Sequence, residues 1–321
     1  MSEAPRLSVV VTAYNEGDAI RPYLGRLLEA VTMPCEVLVV FDDPEDTTVP
    51  PLEEIAAGDS RVVPVRNTYG RGPARAIRYG IDHARAPVAV VTMADGCDDP
   101  MQIDQLARLV ERGVVIAAAS RYMRGGQQIG APALKSTISR LAGRSLHLLA
   151  RVGTRDATNS FKAYSIEFVR AVGIESDHGF EVGIELVAKA RRHRLPVAEI
   201  PTIWLERTQG QSNFKLMQWL PHYFRWYRHA FGPALPVPTA APGAHEAAAA
   251  GAPAEEGDGA GAQPGNLASA TSNGAAPEGA APERPSAEAP AGEAPAPPAG
   301  EAPAPPPVGP TGRSRTRKAP R

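Results

Sequence analysis

Short apolar runs of β-branched residues alternate with amphipathic segments along the first part of the chain. A nearly continuous apolar run of five or six residues is typical of a strand buried on both faces. Strands that alternate with helices at this spacing predict βαβ units and an α/β fold with a mostly parallel sheet. The predicted strands are Leu7–Thr12, Glu36–Phe41, Arg61–Val65, Val88–Met93 and Val114–Ala119, and the predicted helices are Asp18–Ala30, Thr48–Ala57, Arg71–Ala84 and Met101–Glu111.

The last part of the chain has a different composition. From Pro233 to Arg321 there is no Phe, Tyr or Trp, and this segment holds 19 of the 33 prolines among many Ala, Gly and Glu residues. Such a sequence cannot bury enough apolar surface to offset the loss of conformational entropy on folding. We therefore predict one folded domain over residues 1–232 and a disordered Ala/Pro/Gly-rich tail over residues 233–321 with a basic end.

Charge and cysteine content exclude several classes of protein. The formal net charge of −1 argues against nucleic acid as a partner bound by bulk charge. Cys35 and Cys97 are too few for a disulfide framework and form no CxxC metal motif, which favours a reducing compartment. The sequence also has no run of 18 apolar residues and no signal-peptide pattern at its start. We expect a cytoplasmic protein without a signal peptide or a transmembrane helix.

Polar and acidic residues follow three of the predicted strands. In parallel α/β sheets the ligands bind at the carboxyl ends of the strands. Each polar group by itself could equally cap a helix or form a turn. Three acidic groups at one sheet edge, however, suit a Mg²⁺ or Mn²⁺ ion that bridges a diphosphate. The residues are Tyr14, Asn15 and Glu16 after the first strand, Asp42, Asp43, Glu45 and Asp46 after the second, and Asp95, Asp98 and Asp99 after the fourth.

Several short motifs occur together in the order of one known enzyme family. They are Val9–Glu16, Val39–Asp43, Thr92–Asp95, Ser120–Tyr122, Ser160–Tyr164, Gly179–Glu181 followed by Glu185, and Arg207 followed by Gly210 and Ser212. Over about residues 6–216 the chain thus resembles glycosyltransferase family 2, and within it the dolichyl- or polyprenyl-phosphate mannosyltransferases. The resemblance implies a GT-A fold with a nucleotide-binding half at about 6–95 and an acceptor half at about 96–216.

The resemblance implies a nucleotide-sugar donor, either GDP-mannose or a UDP-hexose. It places the nucleotide against Ala13, Tyr14 and Glu16, with Asp42 accepting hydrogen bonds from the base. A carboxylate is suited to the N–H edge that uracil and guanine both present. Gly72 follows Arg71 in a turn where the absence of a Cβ atom permits close backbone contact with the nucleotide. Alternatively, the glycines of this turn only shape the entry into the next helix.

The metal motif departs from the family pattern. The Asp-x-Asp motif of the family would occupy positions 93–95, but the chain has Met93, Ala94 and Asp95. The resemblance then leaves Asp95 as the main metal ligand, and Asp98 is close enough in sequence to assist. Mg²⁺ commonly keeps several waters and takes donor phosphates as ligands. We therefore expect Mg²⁺ or Mn²⁺ as the cofactor, held with reduced affinity.

The resemblance also places a lipid-phosphate acceptor in the second half. It assigns the acceptor phosphate to Arg121, Lys135 and Ser139, and it assigns the leaving diphosphate to Arg207 and the metal. A phosphate monoester is largely ionised at neutral pH, so it can attack the sugar without a protein base. The expected catalytic residues, which act by positioning and by charge stabilisation, are Asp95, Arg121, Lys135 and Arg207.

Two segments of the acceptor half combine basic and apolar residues. In residues 135–152 the basic side chains Arg140, Arg144, His147 and Arg151 share one helical face, opposite Ile138, Leu141, Leu148, Leu149 and Val152. Such a helix packs its apolar face either on the core or on a membrane surface. Residues 215–231 form a second, aromatic amphipathic segment, in which Pro221 is expected to kink or start a helix.

The sequence therefore predicts an inverting, metal-dependent hexosyltransferase that uses a polyprenyl or dolichyl phosphate as acceptor. We expect peripheral contact with the inner, cytoplasmic face of the membrane. One alternative is a family 2 transferase with a soluble or glycan acceptor, which would need a protein base. A second alternative, suggested by Met93, is a nucleotide-sugar-binding protein without activity.

Overall fold

The fold is built on a seven-stranded, mostly parallel sheet. The computed structural model describes residues 4–130, 133–206 and 216–238, which belong to one compact unit, Met1–Glu255. The predicted tail beyond residue 238 lies outside the described residues. The strands of the described part are β1 (Leu7–Thr12), β2 (Cys35–Phe41), β3 (Val62–Arg66), β4 (Val88–Met93), β5 (Ile116–Ser120), β6 (Gln127–Ile129), β7 (Lys162–Ser165), β8 (Val197–Pro201) and β9 (Ile203–Leu205).

The strand order of the central sheet is β3-β2-β1-β4-β7-β5-β8. The first four strands pair in parallel, so their carboxyl ends meet at one edge. β7 is inserted antiparallel between β4 and β5, and β8 pairs in parallel with β5. A separate two-stranded sheet joins β6 and β9.

Helices cover both faces of the sheet. They are α1 (Ile20–Ala30), α2 (Val49–Gly58), α3 (Pro73–Asp82), α4 (Ile103–Glu111), α5 (Ala133–Ser145), α6 (Ile166–Val172), α7 (Val182–Arg192) and α8 (Leu216–His229). A π-helical turn, Leu146–Ala150, continues α5. The five strands and four helices predicted for the first half are confirmed, with ends that differ by at most two residues.

Side chains of β1 alternate between two hydrophobic layers. Val10 packs in the layer that contains Ile77 of α3, whereas Val9 packs in the opposite layer with Leu24 of α1 and Leu106 of α4. This arrangement explains why the predicted strands are apolar at nearly every position, since both faces are covered. Within the described ranges, no helix combines the length and apolar character needed to span a bilayer.

Of the five apolar residues on the apolar side of segment 135–152, Val152 is buried in the core but the other four are exposed, so packing on the core holds only at the end of the segment. Leu141 is 68% exposed, and Leu148 and Leu149 of the π-helical turn are each 70% exposed. The helix instead contacts the body through small residues. A Cβ atom at Gly143 would lie 2.1 Å from the carbonyl oxygen of Arg155, so the close approach of these two backbones requires glycine.

Pro221 lies inside α8 and therefore does not start this helix, which was one of the two expectations for it. The helix begins at Leu216 and continues through Pro221 to His229. A proline in a helix loses one hydrogen bond, and tertiary packing compensates for this loss. Trp226 and Ala230 are buried in the hydrophobic core, which holds the end of the segment against the body.

The packing of α3 on the sheet generates a stability prediction. A Cβ atom at Gly80 would lie 2.4 Å from Cγ1 of Val10 and 3.0 Å from Cγ2 of Val40. Gly80→Ala therefore overpacks the core and should lower the free energy of unfolding by about 1–3 kcal/mol, measured by urea denaturation.

The matched control for this substitution is Gly25→Ala in α1. Nothing lies within 4 Å of a Cβ atom at Gly25, so the better helix propensity of alanine should raise stability by roughly 0.5–1 kcal/mol. A stabilising effect of Gly80→Ala similar to that of Gly25→Ala would contradict the packing argument.

Candidate active site

A cleft of about 1250 Å³ opens at the carboxyl edge of the sheet. One end is polar and is formed by the residues that follow β1, β2 and β4, together with the turn before α3. The other end is apolar and is formed by α5 and α8. The predicted residues Ala13, Tyr14, Glu16, Asp42, Gly72, Asp95, Arg121 and Ser139 all line this cleft, so the fold brings together side chains that are far apart in sequence.

The loop after β1 is held in place by Asp46. Both carboxylate oxygens of Asp46 accept the backbone N–H of Asn15, at 3.0 Å each, and one also accepts the N–H of Thr48 at 2.8 Å. Asn15 has a left-handed backbone with φ of 54°, and these bonds stabilise that conformation. The hydroxyl of Thr48 accepts the N–H of Glu16 at 2.9 Å. Asp46 therefore acts as a turn-forming residue that positions the loop.

Asp42 holds the glycine turn before α3. Its Oδ1 accepts the side-chain amide of Asn67 at 2.7 Å, and its Oδ2 accepts the N–H of Gly72 at 2.8 Å. Gly72 has a φ of 120°, and a Cβ atom there would lie 3.2 Å from the carbonyl oxygen of His178. Glycine is therefore required to shape this turn, while the turn also faces the cleft.

Asp95 and Asp98 occupy different positions after β4. Asp95 lines the cleft beside Met93, and its Oδ1 accepts the N–H of Cys97 at 3.1 Å. Asp98 is not among the lining residues. It is buried, and the hydroxyl of Thr92 donates to it at 3.0 Å. Burial, together with the charge of Asp95, raises the pKa of Asp98 to about 7.

The side chains after β4 can be compared with the ligands that Mg²⁺ and Mn²⁺ prefer. Mg²⁺ and Mn²⁺ prefer oxygen ligands, and the Asp95 carboxylate in the cleft fits this preference. Met93 offers only a thioether sulfur, which is a soft donor and a poor ligand for these ions. The described side chains thus supply one suitable carboxylate at the position where the family pattern has two.

Arg121 forms a buried ion pair with Asp156. The guanidinium Nε and Nη2 donate to Asp156 at 2.7 and 2.9 Å, and the backbone N–H of Arg121 donates at 3.0 Å. Burial opposes the ionisation of Asp156, but the Arg121 guanidinium outweighs it and holds the pKa of Asp156 below its usual range. Arg121 still borders the cleft, so its guanidinium is presented there in one orientation.

Lys162 is a buried basic residue that sequence reasoning did not select as a site residue. It is fully buried in β7, where its ammonium donates to the carbonyl oxygens of Ala157 and Asn159. Burial lowers the pKa of Lys162 to about 7, although the nearby Asp156 opposes this shift. The only sequence signal is its place in the Ser160–Tyr164 motif. Lys162 supports the loop whose residues Asn159 and Ser160 border the cleft.

The remaining predicted acceptor and catalytic residues differ in how far they are described. Ser139 lies on α5 at the cleft, and its hydroxyl forms a hydrogen bond of 2.7 Å with that of Thr158. Lys135 belongs to α5, but its side chain lies outside the description. Arg207 lies outside the described residues altogether, so its expected role stays a prediction.

The apolar end of the cleft is a groove between α5 and α8. Its lining includes exposed apolar side chains such as Leu141 and Phe224. On α5, the Arg140 guanidinium lies 5.4 Å from the ring centre of Tyr122. The apolar groove is lined by Ile138, Leu141, Ala142, Trp219, Leu220, Tyr223, Phe224 and Tyr227.

The buried position of Asp98 predicts a pH-dependent stability. A carboxyl group whose folded-state pKa exceeds its unfolded value stabilises the fold at pH values below the unfolded pKa, and this contribution is lost as the pH rises through the folded pKa. With a folded pKa of about 7, the parent should lose stability relative to Asp98→Asn between pH 4 and pH 8. The relative loss should be on the order of a few kcal/mol.

Urea denaturation with EDTA present, at several pH values over this range, measures the difference. EDTA removes any divalent ion that would favour ionised carboxylates. Parallel pH profiles of the parent and Asp98→Asn would show that Asp98 titrates in an ordinary range.

Comparison with known proteins identifies the family. The family model described as "Glycosyl transferase family 2" matches residues 8–173. A dolichol-phosphate mannosyltransferase of Pyrococcus furiosus is 28% identical over 227 residues, covering 68% of this chain and 63% of that protein. A polyprenol monophosphomannose synthase of Mycolicibacterium smegmatis is 28% identical over 230 residues, covering 67% of this chain and 86% of that protein.

Solved structures show the same fold at lower sequence identity. Glucosyl-3-phosphoglycerate synthase from Mycobacterium tuberculosis, in complex with Mn²⁺, UDP-Glc and phosphoglyceric acid, has a TM-score of 0.53 and 16% identity, covering 72% of this chain and 81% of that chain. A mannosyltransferase from Pyrobaculum calidifontis, in complex with GDP-Man and Mn²⁺, has a TM-score of 0.51 and 18% identity, covering 77% and 70%. The fold is GT-A, as the resemblance implied. Because the family model matches more than half of the residues, this chain belongs to glycosyltransferase family 2.

Proposed function

We propose that this protein is an inverting glycosyltransferase that moves a hexose from a nucleotide sugar to a polyprenyl or dolichyl phosphate. The observation that carries the proposal is the form of the cleft, whose polar end continues into an apolar groove between α5 and α8. A nucleotide sugar is polar along its whole length and gains nothing from such a groove. A lipid phosphate has a charged head and an apolar chain, so it matches both parts. The names of the Pyrococcus and Mycolicibacterium relatives support this acceptor class.

The donor is proposed to bind at the polar end, with its nucleotide against Ala13, Tyr14 and Glu16. Each oxygen of Asp42 accepts one hydrogen bond within the protein, and a carboxylate oxygen has a second lone pair. Asp42 can therefore also accept an N–H of uracil or guanine. Solved neighbours hold UDP-Glc or GDP-Man, so a donor with either base is compatible with this fold.

Asp95 is proposed to hold a Mg²⁺ or Mn²⁺ ion beside the donor diphosphate. When bound, the ion neutralises the negative charge that develops on the leaving group. The Mn²⁺ in two solved neighbours supports a divalent ion in this fold. Arg207 is proposed to contact the same leaving diphosphate.

Arg121, Lys135 and Ser139 are proposed to bind the acceptor phosphate. A phosphate oxygen attacks the anomeric carbon from the face opposite the diphosphate. The new bond joins that oxygen to the sugar carbon, the bond from the carbon to the diphosphate breaks, and the configuration inverts. The phosphate is already ionised at neutral pH, so no protein base is needed. Asp156, the carboxylate nearest to Arg121, is held in an ion pair, which makes it a poor base for a hydroxyl acceptor.

The exposed apolar residues around the groove are proposed to rest on the membrane surface. Leu141, Leu148, Leu149 and Phe224 are exposed, and exposed apolar clusters of this kind mark contact surfaces. Arg140, Arg144 and Arg151 lie in the same segment and favour anionic lipid headgroups. Because the cytoplasmic leaflet carries anionic lipids, we propose peripheral binding at the inner face of the membrane.

The transfer reaction can be tested with a labelled nucleotide sugar, Mg²⁺ or Mn²⁺, and polyprenyl phosphate. We expect labelled sugar to become extractable into organic solvent. Lys135→Ala should lower this rate about ten- to a hundredfold, because a charge-assisted contact to the acceptor phosphate is lost. Slow hydrolysis of the donor by water should persist, since water does not use that contact.

Arg124→Ala is the matched control, since Arg124 is exposed, outside the lining of the cleft, and should keep the parent rate. Arg121→Ala is a poorer probe, because it would leave the Asp156 charge buried and unpaired. An unchanged lipid transfer rate in Lys135→Ala would refute the acceptor assignment. Transfer only to a soluble glycan would favour the alternative acceptor, and donor binding without turnover would favour a protein without activity.

Membrane contact can be tested by co-sedimentation with vesicles that contain anionic phospholipid. The double substitution Leu148→Ser and Leu149→Ser removes two exposed apolar side chains without changing charge. Since burial of a leucine contributes roughly 1.5–3 kcal/mol, vesicle binding should weaken at least about tenfold. Met101→Ser is the control, because Met101 is 69% exposed but lies outside the segment. Equal binding of the double variant and the parent would contradict the proposed surface.

A further inference from the structure

Two histidines and a glutamate meet where α8 contacts the loop before α7. One potential ligand atom each of His178, Glu181 and His222 lies within 4.8 Å of the others. The imidazole rings of His178 and His222 stack with their centres 3.8 Å apart and their planes inclined by 22°. Within the described ranges, no other group of His, Cys, Asp or Glu side chains comes together in this way. These three residues, the His/Glu cluster, lie outside the lining of the cleft.

The Glu181 carboxylate is held in place by backbone hydrogen bonds. It is buried, its Oε1 accepts the N–H of His178 at 3.0 Å, and its Oε2 accepts the N–H of Gly179 at 2.7 Å. Each carboxylate oxygen has a second lone pair. Glu181 thus offers an anionic oxygen in a fixed orientation directly beside the two imidazoles.

Asp177 selects the tautomer of the His178 ring. Its carboxylate contacts Nδ1 of the His178 ring and lies 3.6 Å from the Arg75 guanidinium of α3. A carboxylate that accepts the Nδ1 proton of a histidine leaves Nε2 as the free lone pair. In metal sites, such a carboxylate orients the histidine ligand and strengthens its binding. The cluster therefore has an outer carboxylate in addition to its three potential ligands.

We propose that His178, Glu181 and His222 form a binding site for a divalent transition-metal ion, of which Zn²⁺ fits best. Two imidazole nitrogens and one carboxylate oxygen form a ligand set that Zn²⁺ uses, whereas Mg²⁺ and Mn²⁺ prefer oxygen ligands. The stacked rings must rotate to direct both nitrogen lone pairs at one ion. His178 is exposed and His222 half-buried, so neither ring is locked in the stack by surrounding core packing.

Binding of the metal ion would link α8 to the loop of residues 178–180, which contacts both ends of the cleft. In this loop, a Cβ atom at Gly179 would lie 2.5 Å from the Trp219 ring of α8, and the carbonyl oxygen of His178 approaches Gly72. Phe180 also packs edge-on against Trp219, with ring centres 5.7 Å apart. An ion held by the His/Glu cluster would therefore stabilise the position of α8 beside the groove, whatever reaction the cleft catalyses.

The test uses the untagged full chain, freed of metal with a chelator and then dialysed. Titration with Co²⁺ should give the visible absorption of a nitrogen- and oxygen-liganded ion, and Zn²⁺ should displace it at one equivalent. Zn²⁺ should also raise Tm, because it binds the folded state. His178→Ala and His222→Ala should each weaken Zn²⁺ binding at least tenfold. Asp177→Asn should weaken it about ten- to a hundredfold, as expected for an orienting carboxylate.

His83→Ala is the matched control, because His83 is another histidine stacked on a ring, with its centre 3.9 Å from that of Tyr79. This variant should bind Zn²⁺ like the parent, and so should Asp95→Asn, which alters only the donor-side ligand. Circular dichroism of each variant after metal removal checks that it is folded. His222→Gln is used in place of any variant that does not fold. Parent-like Zn²⁺ affinity in folded variants of both cluster histidines, or loss of binding in Asp95→Asn, would overturn the proposal.

Discussion

The buried ion pair between Arg121 and Asp156 is the interaction on which the Arg121 side of the cleft depends. Two charges removed from water cost several kcal/mol each unless their geometry is nearly ideal. Here two guanidinium nitrogens and one backbone N–H of Arg121 satisfy the same carboxylate. Asp156 also accepts the N–H of Asn159, which belongs to the cleft-lining segment before β7. The end of β5 and this segment are thereby fixed to each other, and the guanidinium is presented to the cleft in one orientation.

The carboxylates at the polar end of the cleft likewise act mainly by holding the surrounding backbone. Asp46 and Asp42 use their oxygens to hold backbone N–H groups of the neighbouring turns, and Asp98 is buried. Of the acidic residues that follow β4, Asp95 is the one that borders the cleft. The acidic appearance of this sheet edge in the sequence therefore comes largely from side chains that build the loops. One carboxylate at the position of the metal motif is consistent with an ion that is held mainly by donor phosphates and water.

The parallel sheet and the positions of its helices could be predicted because both depend on local patterns of apolar residues. The strand β7 could not be placed in this way, since its insertion between β4 and β5 is a long-range choice. The role of Asp156 and the burial of Lys162 depend on the same insertion. The apolar side of α5 was ambiguous for another reason. Periodicity shows that Leu141 and Leu148 share a face of the helix, but it does not show whether the protein core or a membrane surface covers that face.

The exposed face of α5 and the apolar groove share residues such as Leu141, and this continuity would limit how the proposed lipid-phosphate acceptor approaches. A lipid phosphate whose chain remains among apolar surroundings can place only its head at Arg121 and Ser139. The path of the lipid chain toward these two residues would be lined by side chains of α5 and α8. Two of these side chains, Leu141 and Phe224, are themselves exposed. The same apolar surface would then contact the membrane where it is exposed and bind the lipid chain where it lines the groove. The position of α8 relative to the body would then set the width of this path, so the contact between Gly179 and Trp219 would bear directly on binding of the proposed acceptor.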